Sequence, residues 1–436
     1  MASDYDSVEL GEVASVRSGF AFKSSDWTDS GVPVVKIANV KDGCLVMDGC
    51  SFVAPRVAAL ASEFTLQAGD ILIAMTGYIG DVALVRERDL PAALNQRVGR
   101  FLVRDPHRLD PRFLFYLLRD DDVRKEIEGL GYGSAQPNIS PSLIHGIEIP
   151  LPPLPEQHAI ARILGALDDK IELNRRMNET LEAMARALFK SWFIDFDPVR
   201  AKAAGRNPGL PANIAALFPD SFQDSDLGEV PKGWDVLTLH DLAHHVTRGI
   251  SPVYMDAGGV CVLNQKCIRE RRVDFSKARR HDSTKKLIEG KALHMLDVLV
   301  NSTGVGTLGR VAQLLNLSED VVADSHVTTV RANPEVDPYY LGIMLTGRES
   351  EIEALGEGST GQTELSRTRL SELPCLAPPR DLRNQFGRMT EPLLTLVAAN
   401  EQESLTLATL RDALLSKLLS GELRVKNVGR SMEAHA

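Results

Sequence analysis

Phrases from the first half of the chain return in the second, in the same order and at nearly the same distance. "LGEVASVRSG" from Leu10 returns as "LHDLAHHVTRG" from Leu239, an offset of 229. "GVPVVKIANV" from Gly31 is answered by "GVCVLNQKCI" from Gly259 at an offset of 228, and "GDILIAMTG" around Asp70 by "LDVLVNSTG" around Asp297 at 227. Asp110-Pro111 matches Asp337-Pro338 (227), Pro152-Pro153 matches Pro378-Pro379 (226), and "GYGSAQPNIS" matches "GEGSTGQTELS" near 225. Landmarks held in one order at so narrow a band of offsets are an internal duplication. Such a chain folds most simply as two copies of one unit about a pseudo-twofold axis.

Each copy ends in a helical stretch with an asparagine in its apolar seam. The first seam reads Ile160, Ile163, Leu167, Lys170, Asn174, Met177, Leu181, Met184, Leu188. The second reads Phe386, Met389, Leu393, Leu396, Asn400, Glu403, Leu407, Leu410, Leu414. Three-and-four spacing held over four heptads predicts a coiled coil, and a pseudo-twofold would run the two helices antiparallel. Asn174 and Asn400, related by the same offset of 226, would then lie near the centre of the pair with Lys170 and Glu403 close by. A buried asparagine costs stability and is best explained as fixing register; a locally solvated amide on a loose helix is the alternative.

The rest of each copy mixes β-rich runs such as "VPVVKIANV" and "DVLVNS" with helical patterns such as "PRFLFYLLRDDDVRKEIEGL". Prolines in "IPLPPLPEQ" and "CLAPPRDL" bring the chain extended into each long helix. The layout predicted is a globular half over 1–152, a helix over 153–195, a linker over 196–233, a second half over 234–378, a helix over 379–425 and a tail over 426–436. The Pro-, Gly-, Ala- and Asp-rich linker has room for one short helix at "PANIAALF". The fold class expected is α+β, two pseudo-twofold-related globular domains separated by two long antiparallel coiled-coil helices.

Composition narrows the setting. With 436 residues, 44% hydrophobic and 25% charged, the chain can bury two or three ordinary cores. No apolar run approaches the roughly 20 residues that a spanning helix needs. The start, "MASDYDSVEL", is acidic, so neither a membrane span nor a secretion signal is expected. Five cysteines with no CxxC pair suit reduced thiols in the cytoplasm. A net charge of −10 speaks against a chain that binds DNA unaided, unless a local basic patch or basic partners override it.

The order of parts resembles the specificity subunit of a type I DNA restriction-modification enzyme. So does the wording of "LPPLPEQHAIARILGALDDKIELNRRMNETLEAMARALFKSWFIDF", of "LFPDSFQDSDLGEVPKGW" and of the terminal "LATLRDALLSKLLSGELRV". The resemblance covers roughly residues 8–425. It implies two target-recognition domains, each reading one half of a split double-stranded DNA site, and helices that dock two methyltransferase subunits. It also implies two translocase-nuclease subunits in the restriction complex. No cofactor is expected in this chain; S-adenosylmethionine, ATP and Mg belong to those partners.

The residues agree that the chain carries no catalytic site of its own. "DFDPVR" and "VANPEVDP" are not methyltransferase loops, no G-x-G-x-x-G is present, and "GVGTLGR" lacks the Lys-Ser/Thr of a phosphate loop. His244-His245 has no HExxH context, and no cysteine or histidine spacing suits a metal. A coiled-coil scaffold with two protein-binding domains is the rival reading; a self-sufficient restriction-methylation enzyme lacks the motifs and the length.

Candidate DNA contacts fall in matched places. The segment 265–286 holds nine Lys or Arg against three acids, a local +6: Lys266, Arg269, Arg271, Arg272, Lys277, Arg279 and Arg280 are the candidates, with a solvated loop as the alternative. The glycine turns "MTGYIG" (75–80) and "STGVGTLG" (302–309), with Thr76, Tyr78 and Thr303, either approach phosphate or form ordinary tight turns. Asn95, Gln96 and Arg97 match Ser325 and His326 in "DSH"; these, Gln136 with Asn138, and the equivalent Gln362, either read base edges or cap turns. Arg248 and Lys36 complete the set.

Overall fold

The computed structural model describes residues 5–41, 43–131, 138–288, 290–304, 306–358 and 363–425. They form two compact units, one of the described residues up to 173 together with those from 403 onward, and one of those between 174 and 402.

The first unit is built on an antiparallel sheet in the order Ala14–Ser18, Val98–Val103, Ile71–Ala74, Val82–Leu84, with Phe101 opposite both Val16 and Ile71. Every residue of Ile71–Ala74 is buried, which explains why "ILIA" reads as an unbroken apolar run. A second sheet runs Ala93–Leu94, Val32–Val35, Ser51–Val53, Trp27–Thr28, its first two strands parallel. Asp110 caps the helix Pro111–Leu117, accepting from Phe113 N at 2.8 Å, with proline in the first turn where no amide is needed. That helix buries "FLFYL" in a core with Ile73, Phe101, Ile160 and Leu418.

The second unit repeats these strand orders. Its main sheet runs Ala243–Arg248, Val327–Ala332, Val298–Asn301, Val311–Gln313. Its other sheet runs Tyr254–Met255, Arg279–His281, Val260–Leu263, Val321–Ala323, again with the last-named pair parallel. Asp337 caps Pro338–Thr346 as Asp110 does its helix, accepting from Tyr340 N at 2.9 Å. The duplication read from the phrases is therefore a duplication of topology.

The long helices are Leu154–Phe193 and Arg380–Leu419, each beginning just after its proline pair. Within the first unit, Lys170 meets Glu403 at 3.0 Å and Asp168 meets Arg411 at 2.7 Å, so these segments run antiparallel. Within the second, Asn174 Nδ2 donates to Asn400 O at 3.4 Å and Asn178 Nδ2 to Val397 O at 3.2 Å, and the direction is again antiparallel.

The seam differs from the expected one by one residue at alternate positions. Leu164, Asn178 and Ala185 are buried where Ile163, Met177 and Met184 were expected; Thr390 and Val397 take the places of Met389 and Leu396. Met184, Leu396 and Leu410 are exposed. Steps of four then three replace three then four. Bulky apolar side chains misled the phase: a close antiparallel pair accepts small Ala185, and the polar Asn178 and Thr390 satisfy themselves on backbone carbonyls.

The segment 196–233, expected as a linker, is folded. It carries the helices Asp197–Ala203 and Ala212–Ala215 and the hairpin Phe222–Ser225 with Gly228–Pro231. Phe196, Val199, Ile214 and Phe218 enter one core with Trp192 and Trp234. Trp192 and Phe218 stack edge to face at 5.1 Å. The expected boundaries at 195 and 233 therefore cut through this core, and the long helices belong partly to each unit.

Candidate nucleic-acid interface

In the first unit two turns lie side by side at one end of the main sheet. Strand Ile71–Ala74 leads into Met75-Thr76-Gly77-Tyr78, where Gly77 at φ 73° takes a left-handed conformation that a side chain resists. Met75 N donates to Arg97 O at 3.1 Å, which sets the 95–97 turn beside it. Buried Asn95 holds that turn, its Oδ1 accepting from Arg97 N at 3.2 Å. Gln96 and Arg97 are exposed, as is Tyr78, and neither Gln96 nor Arg97 has a side-chain partner among the described residues. Thr76 Oγ1 donates to Asn138 Oδ1 at 2.8 Å, so Thr76 is not the free donor expected; it and Asn138 brace the turn. Gln136 lies outside the described residues.

The second unit repeats the device with other side chains. Asp324 Oδ1 accepts from His326 N at 2.8 Å, the same turn with aspartate for asparagine. Burial raises the Asp324 carboxyl above its ordinary range, opposed by the hydrogen bond and charge of His326. Ser325 is half-buried and His326 exposed, its Nδ1 2.8 Å from Thr303 Oγ1. Thr303 thus positions His326 rather than standing free. Arg248, expected to meet DNA, is a strut: it pairs with Glu364 at 2.5 Å and donates to Leu365 O at 2.8 Å. Gln362 lies outside the described residues.

The basic segment does not form one patch, because its cations are drawn to carboxylates on different sides. Arg272 pairs with Glu182 at 2.7 Å and Glu401 at 3.1 Å, and Arg271 with Glu349 at 3.7 Å. Arg280 clamps Glu319 with two bonds. Lys266, Arg269 and Lys277 remain exposed and make no ion pair among the described residues, and Arg279 lies 3.4 Å above the Tyr254 ring.

That last stack has an equivalent. Lys36, half-buried, donates to Ser51 Oγ at 2.7 Å and sits 3.8 Å over Trp27. Trp27 and Tyr254 are related by the duplication offset, 227, and each begins the edge strand of its second sheet. Each cation is held over the electron-rich face of its ring. The duplication offset, applied to aromatic residues, would have found both. Burial raises the Tyr254 hydroxyl, the charge of Asp324 adds to the rise, and Arg279 opposes it. Among the described residues no group of three His, Cys, Asp or Glu is placed to hold a metal, and no helix is long and apolar enough to cross a membrane.

Two units of one topology, each turning a pair of polar loops outward from a buried sheet and each closed by paired segments of long helix, define a tandem α+β fold. Residues 2–183 match the family described as "Type I restriction modification DNA specificity domain". The type I restriction enzyme MjaIX specificity subunit of Methanocaldococcus jannaschii is 25% identical over 83% of this chain and 79% of its own length. The MjaVIII specificity subunit of the same organism is 37% identical over 41% of this chain and 43% of its own. The crystal structure of a type I restriction-modification S subunit from M. genitalium shares the fold, with a TM-score of 0.55 at 16% identity over 96% of both chains. Residues 2–183 thus match that specificity domain, and the chain as a whole is similar to the specificity subunits of type I restriction enzymes.

Proposed function

We propose that this chain reads a bipartite double-stranded DNA site, one half-site per unit, and docks two methyltransferase subunits and, in the restriction complex, two translocase-nuclease subunits. One observation carries the reading. The same turn, made by the same bond from a backbone N–H to the Asx side chain two residues earlier, presents Gln96 and Arg97 in one unit and Ser325 and His326 in the other. Equal scaffolds with unequal tips suit two readers of different sequence. Arg pairs well with guanine and Gln with adenine in the major groove, while Lys266, Arg269 and Lys277 suit phosphate. The methyl donor, ATP and Mg would be held by the partners.

The test is co-expression with the methyltransferase subunit of the same system in a host lacking adenine methylation, followed by genome-wide mapping of methylated adenine. A two-part motif with an unread spacer supports the reading. A single continuous motif, or none, contradicts it.

A further inference from the structure

The duplication also repeats a groove, and the two copies differ in charge. In the second unit a groove of about 440 Å³ lies where the end of the helix Leu154–Phe193 meets Pro338–Thr346 and Pro374–Ala377. Phe193, Ile194, Leu227, Ile343 and Met344 floor it, with Ile194 57% and Leu227 49% exposed. Arg186, Lys190, Arg271 and Arg348 line it, and no carboxylate does.

The first unit carries a smaller groove of about 170 Å³ at the matching place. Ser416, Leu419 and Ser420 are the equivalents of Lys190, Phe193 and Ile194 at the duplication offset of 226. Asp120 is likewise the equivalent of Gly347, and Glu148 of Pro374, at offsets of 227 and 226. Asp120, Asp122, Glu126 and Glu148 line this copy, and no cation does. These positions pass from cationic or neutral to neutral or acidic, and exposed Ile194 becomes serine. Asp122 and Glu126 keep acidic equivalents at an offset of 227, Glu349 and Glu353, the former paired with Arg271 at 3.7 Å.

We infer that the groove of the second unit docks an amphipathic segment of a partner subunit, apolar side chains flanked by carboxylates, and that the equivalent groove of the first unit rejects the same segment. This rests on the reading that the chain assembles with two copies of one partner. Exposed apolar side chains in a concave floor supply the attraction. The cations supply the selection. Arg348 is clamped by Glu351 with bonds of 2.6 and 2.7 Å and is not among them. The other pairs, Arg186 with Glu182 at 3.4 Å and Arg271 with Glu349 at 3.7 Å, are long and part-exposed, and Lys190 meets Asp195 at a side chain 63% exposed. Such pairs are weak, so an incoming carboxylate still gains. In the first unit the same carboxylates would face Asp122, Glu126 and Glu148, where like charges penalise contact. Two copies of one partner therefore bind in two unequal steps.

The experiment titrates the full chain with the methyltransferase subunit of the same system and resolves the 1:1 and 1:2 complexes by native mass spectrometry. The two steps should differ by about tenfold or more beyond the statistical factor, and the gap should narrow in high salt. Lys190→Glu with Arg271→Glu should weaken the tighter step by about tenfold, and Asp122→Lys with Glu126→Lys should tighten the weaker one by a similar factor. Two statistically equal steps, or steps unmoved by both charge reversals, overturn the inference and leave the assembly reading standing. Self-association of the chain alone that is lost on Lys190→Glu with Arg271→Glu assigns the groove to a second copy and also overturns it. A chain that binds no methyltransferase at any concentration overturns both.

Discussion

Inside the paired helices of the second unit, Asn400 Nδ2 donates to Asn178 Oδ1 at 2.8 Å. With Asn174 donating to Asn400 O and Asn178 to Val397 O, three amides share one buried layer. Asn178→Leu should therefore lower stability by about 1–2 kcal/mol, the usual cost of breaking one buried hydrogen-bonded group. Replacing Asn174, Asn178 and Asn400 together with leucine should recover that stability and relax the alignment of the helices, since buried polar groups in helix pairs specify register at a cost. Thermal unfolding reads the first effect; disulfide trapping between cysteines placed one turn apart reads the second. A triple variant trapped in a single register contradicts the role.

Exchange of the second unit's reader should change one half of the methylated motif. The segment to exchange is 196–378 rather than 234–378, because Phe196 stacks on Trp234 at 5.8 Å and Phe218 shares their core. The shorter exchange should lower the yield of folded protein, and the longer one should not. If methylome mapping of the longer chimera shows both halves altered, the units are not independent readers.

Gln96→Ala and Arg97→Ala should relax one half-site while leaving folding intact, at about 1–3 kcal/mol of discrimination for each lost bidentate contact. Lys266→Ala and Lys277→Ala should weaken binding evenly across sequences and lower the salt slope of the assembled complex by about 0.9 per phosphate contact. Arg272→Ala should act otherwise, lowering the melting temperature through loss of the Glu182 and Glu401 pairs, because burial raises the Glu401 carboxyl and Arg272 opposes that rise. A salt slope that shifts as much for Arg272→Ala as for Lys277→Ala would sink this division.

Burial pushes the Cys267 thiol up to about 12 and the Cys375 thiol up to about 11. A raised thiol pKa favours the neutral form in the folded state. These groups therefore cost nothing below the ordinary thiol value of 9.0, and stability falls as pH rises from there toward the folded values, because the unfolded thiols ionise first. At pH 8 the folded chain should resist iodoacetamide at both positions, and should react there only after denaturation. Mass spectrometry of pulse-alkylated protein decides it; rapid native labelling of Cys267 contradicts its burial.

Much of the architecture was legible because repetition is legible. Asp110 and Asp337 capping proline-led helices, and the buried strands at Ile71–Ala74 and Val298–Asn301, follow from local chemistry that a sequence states directly. The seam phase was not, because Met184 looks a better core residue than Ala185 until backbone separation is known. The segment 196–233 misled for a related reason: proline and glycine mark turns, but turns between buried aromatics are structure. At the interface, composition located the cations but not their partners. Arg248 is engaged by Glu364 and Arg272 by Glu182, carboxylates so distant along the chain that no local pattern reveals them.

The division of the chain sets an order of events during synthesis. The second unit is one contiguous stretch, 174–402, and every side chain of its core has been made once that stretch has left the ribosome. The first unit's core includes Leu415, Leu418 and Leu419, made only after residues 174–402. Domains usually fold in the order in which they emerge. Here the first unit must wait, holding an incomplete apolar face while the whole of the second unit is synthesised, and it closes only afterwards.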